Sequence, residues 1–392
     1  MNIAIFSDTG FIKGGSSVYA NLIAETLSGM GNNVIKVTDR VERDAFPIRT
    51  CKIPLIRILR DAPLFKSLGQ LKETFGVEVL HINIHHPRLA YHFAKASNEL
   101  ELPLVTTTHS YSLLCLTGYY VRLPELYPCN NSSLSSHCAT CMISKAKLLK
   151  LHMPKVVKDI LSSPYYDYAK KYLLTASHVI SPSKRFAELL RESVKAKVVS
   201  LPNPLPKHFL NEQSKTCGDG SAIFLGRLIW EKGVSLLPSI ARHLKPGILH
   251  VLGSGTLESW LVDHLPPNVV YHGFLGEERL RLMRNASIVI IPSITSEMYP
   301  YVVLESLALG KPVVAFDLGG PKEQIERSRG GLLAKPFEVD EFSEKVNWLL
   351  ENPRDAEEMG LHGREWAQRN LDPRDYGNLL MKIYMDAQVV KQ

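Results

Sequence analysis

Short apolar runs recur along this chain, and amphipathic stretches of helical period separate most of them. In the first half the runs are Ile3–Phe6, Val34–Val37, Val79–Asn83, Leu104–Thr108, Val179–Ser181 and Val198–Leu201. In the second half they are Ser221–Leu225, Ile248–Leu252, Val269–His272, Ile288–Ile291, Val313–Phe316 and Gly331–Leu333. Short apolar strands alternating with helices imply parallel sheets with helices on both faces. The two halves begin alike. Each opens with a buried-strand run, then a loop with glycines, then a helix, predicted over 16–30 in the first half and 232–244 in the second. Two such starts imply two doubly wound, Rossmann-like domains of the α/β class. Pro202-Asn203-Pro204-Leu205-Pro206 reads as the linker, stiffened by its prolines, and puts the domains at 1–205 and 206–374. Asn203 fits there as a turn residue. A last helical pattern, 375–389, follows the break expected at Asp372-Pro373.

A length of 392 residues suits two cores, and 45% hydrophobic with 22% charged residues is ordinary for a soluble globular protein. No apolar run approaches the roughly 18 residues that span a bilayer. Met1 to Asp8 enters a strand directly, without the basic and apolar regions of a secretory signal, so the expected location is the cytoplasm. The charge is uneven. Residues 1–200 carry 25 Lys and Arg against 15 Asp and Glu, and the remaining 192 carry 21 against 24, for a net charge of +7. A basic half points to an anionic partner. No helix-turn-helix, RNP or zinc-finger pattern accompanies it, which excludes the usual nucleic-acid modules. The basic residues gather instead with Leu and Ile over 49–60 and 145–155. Such segments fit either an anionic membrane surface, making the protein peripheral to the membrane, or ordinary packing on the protein's own core.

The candidate chemistry concentrates in the second half. Glu297 and Glu305 flank the stretch Met298-Tyr299-Pro300-Tyr301-Val302-Val303-Leu304, just after the strand run ending at Pro292. Pro300 fits the first turn of a helix, and Gly310-Lys311-Pro312 fits its end. Glu297 is then on the entering loop and Glu305 about two turns into the helix, with exposed N–H groups between them suited to phosphate. Spacing alone also fits a solvated acidic face. Arg227 and Lys232, in Gly226-Arg227-Leu228-Ile229-Trp230-Glu231-Lys232-Gly233, sit where a strand run ends. A planar fork of donors and a compact point charge suit the growing charge of a diphosphate leaving group. Gly14-Gly15-Ser16-Ser17 follows the first strand and opens a helix, so its amides are placed for phosphate or an acceptor. It is not a Gly-x-Gly-x-x-Gly fingerprint, which argues against a nicotinamide or flavin cofactor. His109 stands at the carboxyl end of the strand 104–108.

The segment from Glu297 to Glu305, with the Gly-Arg-Leu and Lys-Gly pairs at 226–233, resembles the retaining glycosyltransferases of family 4, of the GT-B superfamily. The resemblance implies a GT-B fold, two Rossmann-like domains facing across a cleft, with the last helix crossing back onto the N-terminal, acceptor-side domain. It implies that Arg227 and Lys232 hold the diphosphate, Glu305 the ribose, and Glu297 the sugar or its surroundings. His109 matches the family's histidine at the donor sugar. Val251-Leu252-Gly253-Ser254-Gly255 resembles its loop near the base, and Leu318–Glu323 a segment shaping the donor pocket. Gly14, Gly15, Tyr299, Tyr301 and Val302 complete the expected donor-binding set. The reaction implied moves a sugar from a UDP- or GDP-linked donor to a glycan or lipid-linked acceptor, with retention. No Asp-x-Asp motif occurs in the chain, so no metal cofactor is expected for catalysis. A GT-B sugar-nucleotide epimerase and a non-catalytic nucleotide-sugar binder are the alternative readings.

Four of the six cysteines, Cys115, Cys129, Cys138 and Cys141, fall in one window, and the last two have chelating spacing. In a cytoplasmic protein that favours a metal over a disulfide, so the window reads as a structural zinc site, with an iron–sulfur cluster or unligated thiols as the alternatives and His137 as a substitute ligand. Cys51 and Cys217 lie apart from the window.

Overall fold

Each apolar run becomes a β-strand in the computed structural model, which describes residues 1–11, 14–39, 44–47, 62–84, 87–123, 126–129, 136–148, 178–194, 196–212, 218–245 and 247–389. The chain forms two units. One comprises Met1–Pro124, Asn130–Pro204 and Pro373–Gln392, and the other Glu125–Cys129 and Leu205–Asp372.

The first unit contains β1 (Asn2–Ser7), α1 (Gly15–Gly29), β2 (Asn33–Thr38), β3 (Phe46–Pro47), α2 (Ala62–Phe75), β4 (Val79–Ile84), α3 (Pro87–Glu99) and β5 (Leu104–Thr108). The two-residue strands β6 (Val121–Arg122) and β7 (Tyr127–Pro128) and helix α4 (Ser136–Leu148) follow in the chain. Then come β8 (His178–Ser181), α5 (Lys184–Ser193) and β9 (Lys197–Ser200). Its parallel sheet has the order β3-β2-β1-β4-β5-β8-β9. The central strand explains why the run was apolar throughout, since Ile3, Ala4, Ile5 and Phe6 are all fully buried. β3, only two residues long at the sheet's edge, has no apolar run to announce it.

The second unit begins with the short helix α6 (Lys207–Leu210). It continues with β10 (Ala222–Leu225), α7 (Leu237–Arg242), β11 (Leu249–Leu252), α8 (Glu258–His264), β12 (Val269–Tyr271), α9 (Arg279–Asn285) and β13 (Ile288–Ile291). After these come α10 (Tyr301–Ala308), β14 (Val313–Phe316), α11 (Gly319–Ser328), β15 (Gly331–Ala334), α12 (Val339–Glu351) and α13 (Pro353–Asn370). Its parallel sheet runs β12-β11-β10-β13-β14-β15. Counted from the first strand of the unit, that is the 3-2-1-4-5-6 order of a doubly wound sheet. The chain therefore reverses direction across the sheet between β10 and β13.

Some element boundaries differ from the sequence reading. The helix expected over 232–244 is instead two single 3-10 turns, Trp230–Lys232 and Val234–Leu236, followed by α7. Gly233, at φ 69°, breaks the path, and Pro238 fits only a first turn, where its missing N–H costs nothing. Helix α14 (Pro373–Val389) begins at the proline that was read as a break, for the same reason. α14 belongs to the first unit, packs on α1, β4 and β5, and buries Tyr376, Leu380, Tyr384 and Ala387.

Candidate active site

In a doubly wound sheet the ligand crevice opens at the carboxyl ends of the strands, at the point where the winding reverses. In the second unit that point lies between β10 and β13. The loop after β10 carries Arg227 and Lys232, and the loop after β13 carries Ser293 and Glu297. Lys232 Nζ pairs with Glu297 Oε2, and Ser293 Oγ donates to Glu297 Oε1. The side chains of Lys232 and Glu297 are only 22% and 15% exposed, so water screens the pair weakly. The two loops are also joined by their backbones, with Ile294 N–H donating to the Glu231 carbonyl at 3.1 Å. Gly233 makes this approach possible, since a Cβ there would lie 1.8 Å from the Pro292 oxygen. Arg227 is exposed, and its guanidinium has no side-chain partner among the described residues.

The predicted glycines Gly253 and Gly255, after β11, serve the same assembly. A Cβ on Gly253 would meet the Gly226 oxygen at 1.8 Å, and one on Gly255 the Leu228 oxygen at 2.4 Å. The close approach they permit is thus to the backbone that presents Arg227. From the next strand, Gly320 N–H donates to the Glu297 carbonyl at 2.6 Å, which seats the start of α11 against the Glu297 loop.

Helix α10 starts one residue later than expected. Pro300 is its N-cap, with ψ 132°, rather than a residue of its first turn. A proline offers no side-chain acceptor, so no side chain caps α10, and Leu318 likewise leaves α11 without one. Helix α10, after β13, thus begins with donors that no side chain caps, a suitable setting for phosphate, while at α11, after β14, the Gly320 N–H is taken by the Glu297 carbonyl. The far end of α10 matches the reading. Gly310, at φ 69°, donates to the Leu307 carbonyl at 2.9 Å and Lys311 N–H to the Ser306 carbonyl at 2.9 Å, a Schellman ending. Glu305 is the fifth residue of α10, so it lies about one turn in rather than two. Tyr299 and Tyr301 are both buried and Val302 is half-buried, so what this stretch can offer a ligand is chiefly its backbone N–H groups. Burial pushes the Tyr299 hydroxyl well above its usual pKa, and it has no hydrogen-bond partner among the described residues.

Glu305 is 5% exposed and makes a two-pronged ion pair with Arg279, the first residue of α9. Nη1 lies 2.6 Å from Oε2 and Nη2 2.9 Å from Oε1. The bonds to Glu305 hold the guanidinium above its ordinary pKa, against the opposing effect of burial. Sequence reasoning missed Arg279 because nothing in its local pattern distinguishes it from Arg281 or Arg284 on the same helix.

In the first unit, His109 directly follows β5 and is half-buried. Its Nε2 lies 3.2 Å from Asn83 Oδ1, while Asn83 Nδ2 donates to the Phe6 carbonyl at 3.2 Å. The amide orientation therefore makes His109 Nε2 the donor in this bond. The Tyr19 ring meets the His109 ring edge-on at 4.8 Å between centroids. Gly14, at φ 99°, is the N-cap of α1, and both Gly14 and Gly15 are exposed with no side-chain cap. Thr9 Oγ1 bonds Ser16 Oγ at 2.8 Å and ties that loop to the helix.

Two thiols of the cysteine window have polar neighbours. Cys115 Sγ contacts Thr117 Oγ1 at 3.1 Å, and Cys141 Sγ accepts from Leu123 N–H at 3.3 Å. No disulfide joins Cys115, Cys129, Cys138 or Cys141, and among the described residues no three His, Cys, Asp or Glu side chains gather as a metal requires. The basic segment 49–60 lies outside the described residues, as do 149–155 of the second. Lys145 is drawn onto its own unit, donating to the Thr117 carbonyl at 2.8 Å and lying 3.9 Å from the Tyr119 ring centroid. No described helix is long and apolar enough to cross a membrane.

Two parallel, doubly wound units, one with cations and an uncapped helix at its switch point, define a GT-B glycosyltransferase architecture. The chain belongs to the family 4, group 1 glycosyltransferases: residues 13–207 match Glycosyltransferase Family 4 and residues 210–366 match Glycosyl transferases group 1. Among curated relatives it is similar to the GDP-mannose-dependent alpha-(1-6)-phosphatidylinositol monomannoside mannosyltransferase of Mycolicibacterium smegmatis. That match is 30% identical over 186 residues, 43% of this chain and 49% of the relative. The chain spans about half the length of the curated relatives it matches. Its fold is similar to sucrose-phosphate synthase from Thermosynechococcus elongatus, with a TM-score of 0.72 and 18% identity over 99% of both chains. It is also similar to Anabaena HepE, solved in complex with UDP-glucose, with a TM-score of 0.67 and 17% identity over 97% of this chain and 99% of that one.

Proposed function

We propose that this glycosyltransferase moves a sugar from a UDP- or GDP-linked donor to a glycan or lipid-linked acceptor, with retention and without a divalent ion. The observation that carries this reading is the switch point of the second unit. Arg227 and the Lys232–Glu297 pair stand there at strand ends, next to helix α10, whose first N–H groups no side chain caps. A diphosphate set in that field has its charge met by Arg227, Lys232 and the helix N–H groups as the glycosidic bond breaks. Fixed donors aimed at developing charge are usually the largest catalytic term. In this scheme the bond from the anomeric carbon to the diphosphate oxygen breaks, and the acceptor oxygen bonds that carbon on the same face. The acceptor proton passes to the departing phosphate oxygen. Glu297, steadied by Lys232 and Ser293, meets the sugar, and Glu305 meets the ribose.

The test is sugar transfer and donor hydrolysis by purified protein, screened across UDP- and GDP-sugars. Lys232→Ala and Glu305→Ala are each expected to lower turnover by about 100-fold or more, the loss of a transition-state contact worth roughly 2.7 kcal/mol. Near-normal turnover by either folded variant overturns the assignment of that residue. An inverted anomeric configuration in the product, read by NMR, overturns retention. Loss of activity in a metal chelator overturns the metal-independent scheme.

A further inference from the structure

An exposed arginine that no side chain holds is aimed by its backbone alone, and the backbone around Arg227 is laced to the loop after β11. Gly226 N–H donates to the Leu252 carbonyl at 3.1 Å, and Leu228 N–H to the Ser254 carbonyl at 2.9 Å. Gly253 therefore stands opposite Arg227, so close that a Cβ on it would lie 1.8 Å from the Gly226 oxygen. Gly253 has φ 140°, a conformation open to glycine, and carries no side chain to anchor it. What fastens it is the end of β12. Its N–H donates to the Gly273 carbonyl at 2.8 Å, and its carbonyl accepts from the Tyr271 hydroxyl at 3.0 Å. Burial, aided by the Glu258 carboxylate beside it, pushes the Tyr271 phenol up to about 12. The hydroxyl thus keeps its proton and remains a donor at neutral pH.

Resting on the reading of Arg227 given above, we infer that Tyr271 is a positioning residue for the diphosphate clamp, acting through Gly253 on the backbone that presents Arg227. Its hydroxyl is engaged by the Gly253 carbonyl, so in this arrangement it acts without touching the diphosphate. A phenylalanine would fill the same space and leave that carbonyl without its donor. The Gly253 backbone could then shift, and with it the strand-end segment against which it packs.

The experiment is a double-mutant cycle on the full chain, with Tyr271→Phe, Arg227→Met and the two together. The readouts are affinity for UDP and for GDP by calorimetry, with melting temperatures alongside. Tyr271→Phe removes one hydrogen bond and should weaken the preferred nucleotide by about three- to tenfold. Arg227→Met removes a charge-assisted contact and should weaken it by about tenfold or more. In the Arg227→Met background, adding Tyr271→Phe should change affinity by less than about twofold, because its effect passes through Arg227. A hydroxyl with a structural role only would weaken binding by the same factor in both backgrounds, and that result overturns the inference. Wild-type affinity in Tyr271→Phe, or failure of that variant to fold, overturns it too. An Arg227→Met variant with wild-type affinity, or a wild type that binds neither nucleotide, overturns the reading of the clamp itself.

Discussion

Glu297 and Glu305 reach their partners by different routes, and the difference decides what each can do. Glu297 is on a loop, paired with one lysine and one serine hydroxyl, while Glu305 is on a helix and held by an arginine fork. The first arrangement can rearrange around a substrate, and the second keeps its plane. The first unit holds a fully buried titratable group of another kind. His81 Nδ1 meets the Tyr384 hydroxyl at 2.5 Å, and its Nε2 meets Thr107 Oγ1 at 2.7 Å. Thr107 Oγ1 in turn lies 3.1 Å from the Tyr19 hydroxyl, which bonds that of Tyr376 at 2.8 Å. Burial pushes the imidazole down from 6.5 to about 3. The unfolded chain therefore takes up this proton before the folded one does. The stability due to neutral His81 is fully present above about pH 6.5 and is lost as pH falls from there toward about 3. Between pH 6.5 and 5.5 the loss from this group should be about 1 kcal/mol. Urea unfolding at the two pH values checks it: His81→Asn should be less stable at neutral pH and less sensitive to acid. An equal loss in variant and wild type sinks the assignment.

Helix α10 shows what an element needs in order to present a side chain. Its Schellman ending stops the helix at Gly310, and α13 then packs so close that a Cβ on Gly360 would lie 2.1 Å from the Gly310 oxygen. Backbone cannot yield as a side-chain tip can, so Gly360→Ala should destabilise the second unit by about 1–3 kcal/mol or more. Thermal unfolding measures it, and an unchanged melting temperature would contradict the packing. The glycine stop was readable because Gly-Lys-Pro is a strong local signal. The start was misplaced by one residue because proline is tolerated both at a cap and at the first helical position. The 3-10 turns around Gly233 were missed for a related reason. A helical period continues through 232–244, but the fold requires Gly233 to lie against Pro292, and local pattern carries no information about that contact.

At the scale of the whole molecule, the chain returns to its first unit at its end. α14 buries Tyr376, Leu380, Tyr384 and Ala387 there, and Tyr384 closes the bond to His81. Burying a large apolar side chain is worth about 1.5–3 kcal/mol, so Leu380 and the two tyrosines together rival the 5–15 kcal/mol that holds a typical domain. A chain ending at Asp372 should therefore lose protection across residues 1–204 in hydrogen exchange, while 205–372 keep theirs. Uniform protection in the shortened chain would show that α14 is dispensable.

Apolar runs in sequence were enough to give two parallel sheets and their strands, because a strand covered on both faces must be apolar along its whole length. That Arg227, Lys232 and Glu297 lie on loops at strand ends, and Glu305 on the helix that follows, was legible too, since short spacings survive in any linear reading. Tertiary structure alone decided which cation meets which carboxylate. Lys232 and Glu297 are 65 positions apart, and Arg279 and Glu305 are 26 apart. The strand order brings each pair together, and no periodicity records it.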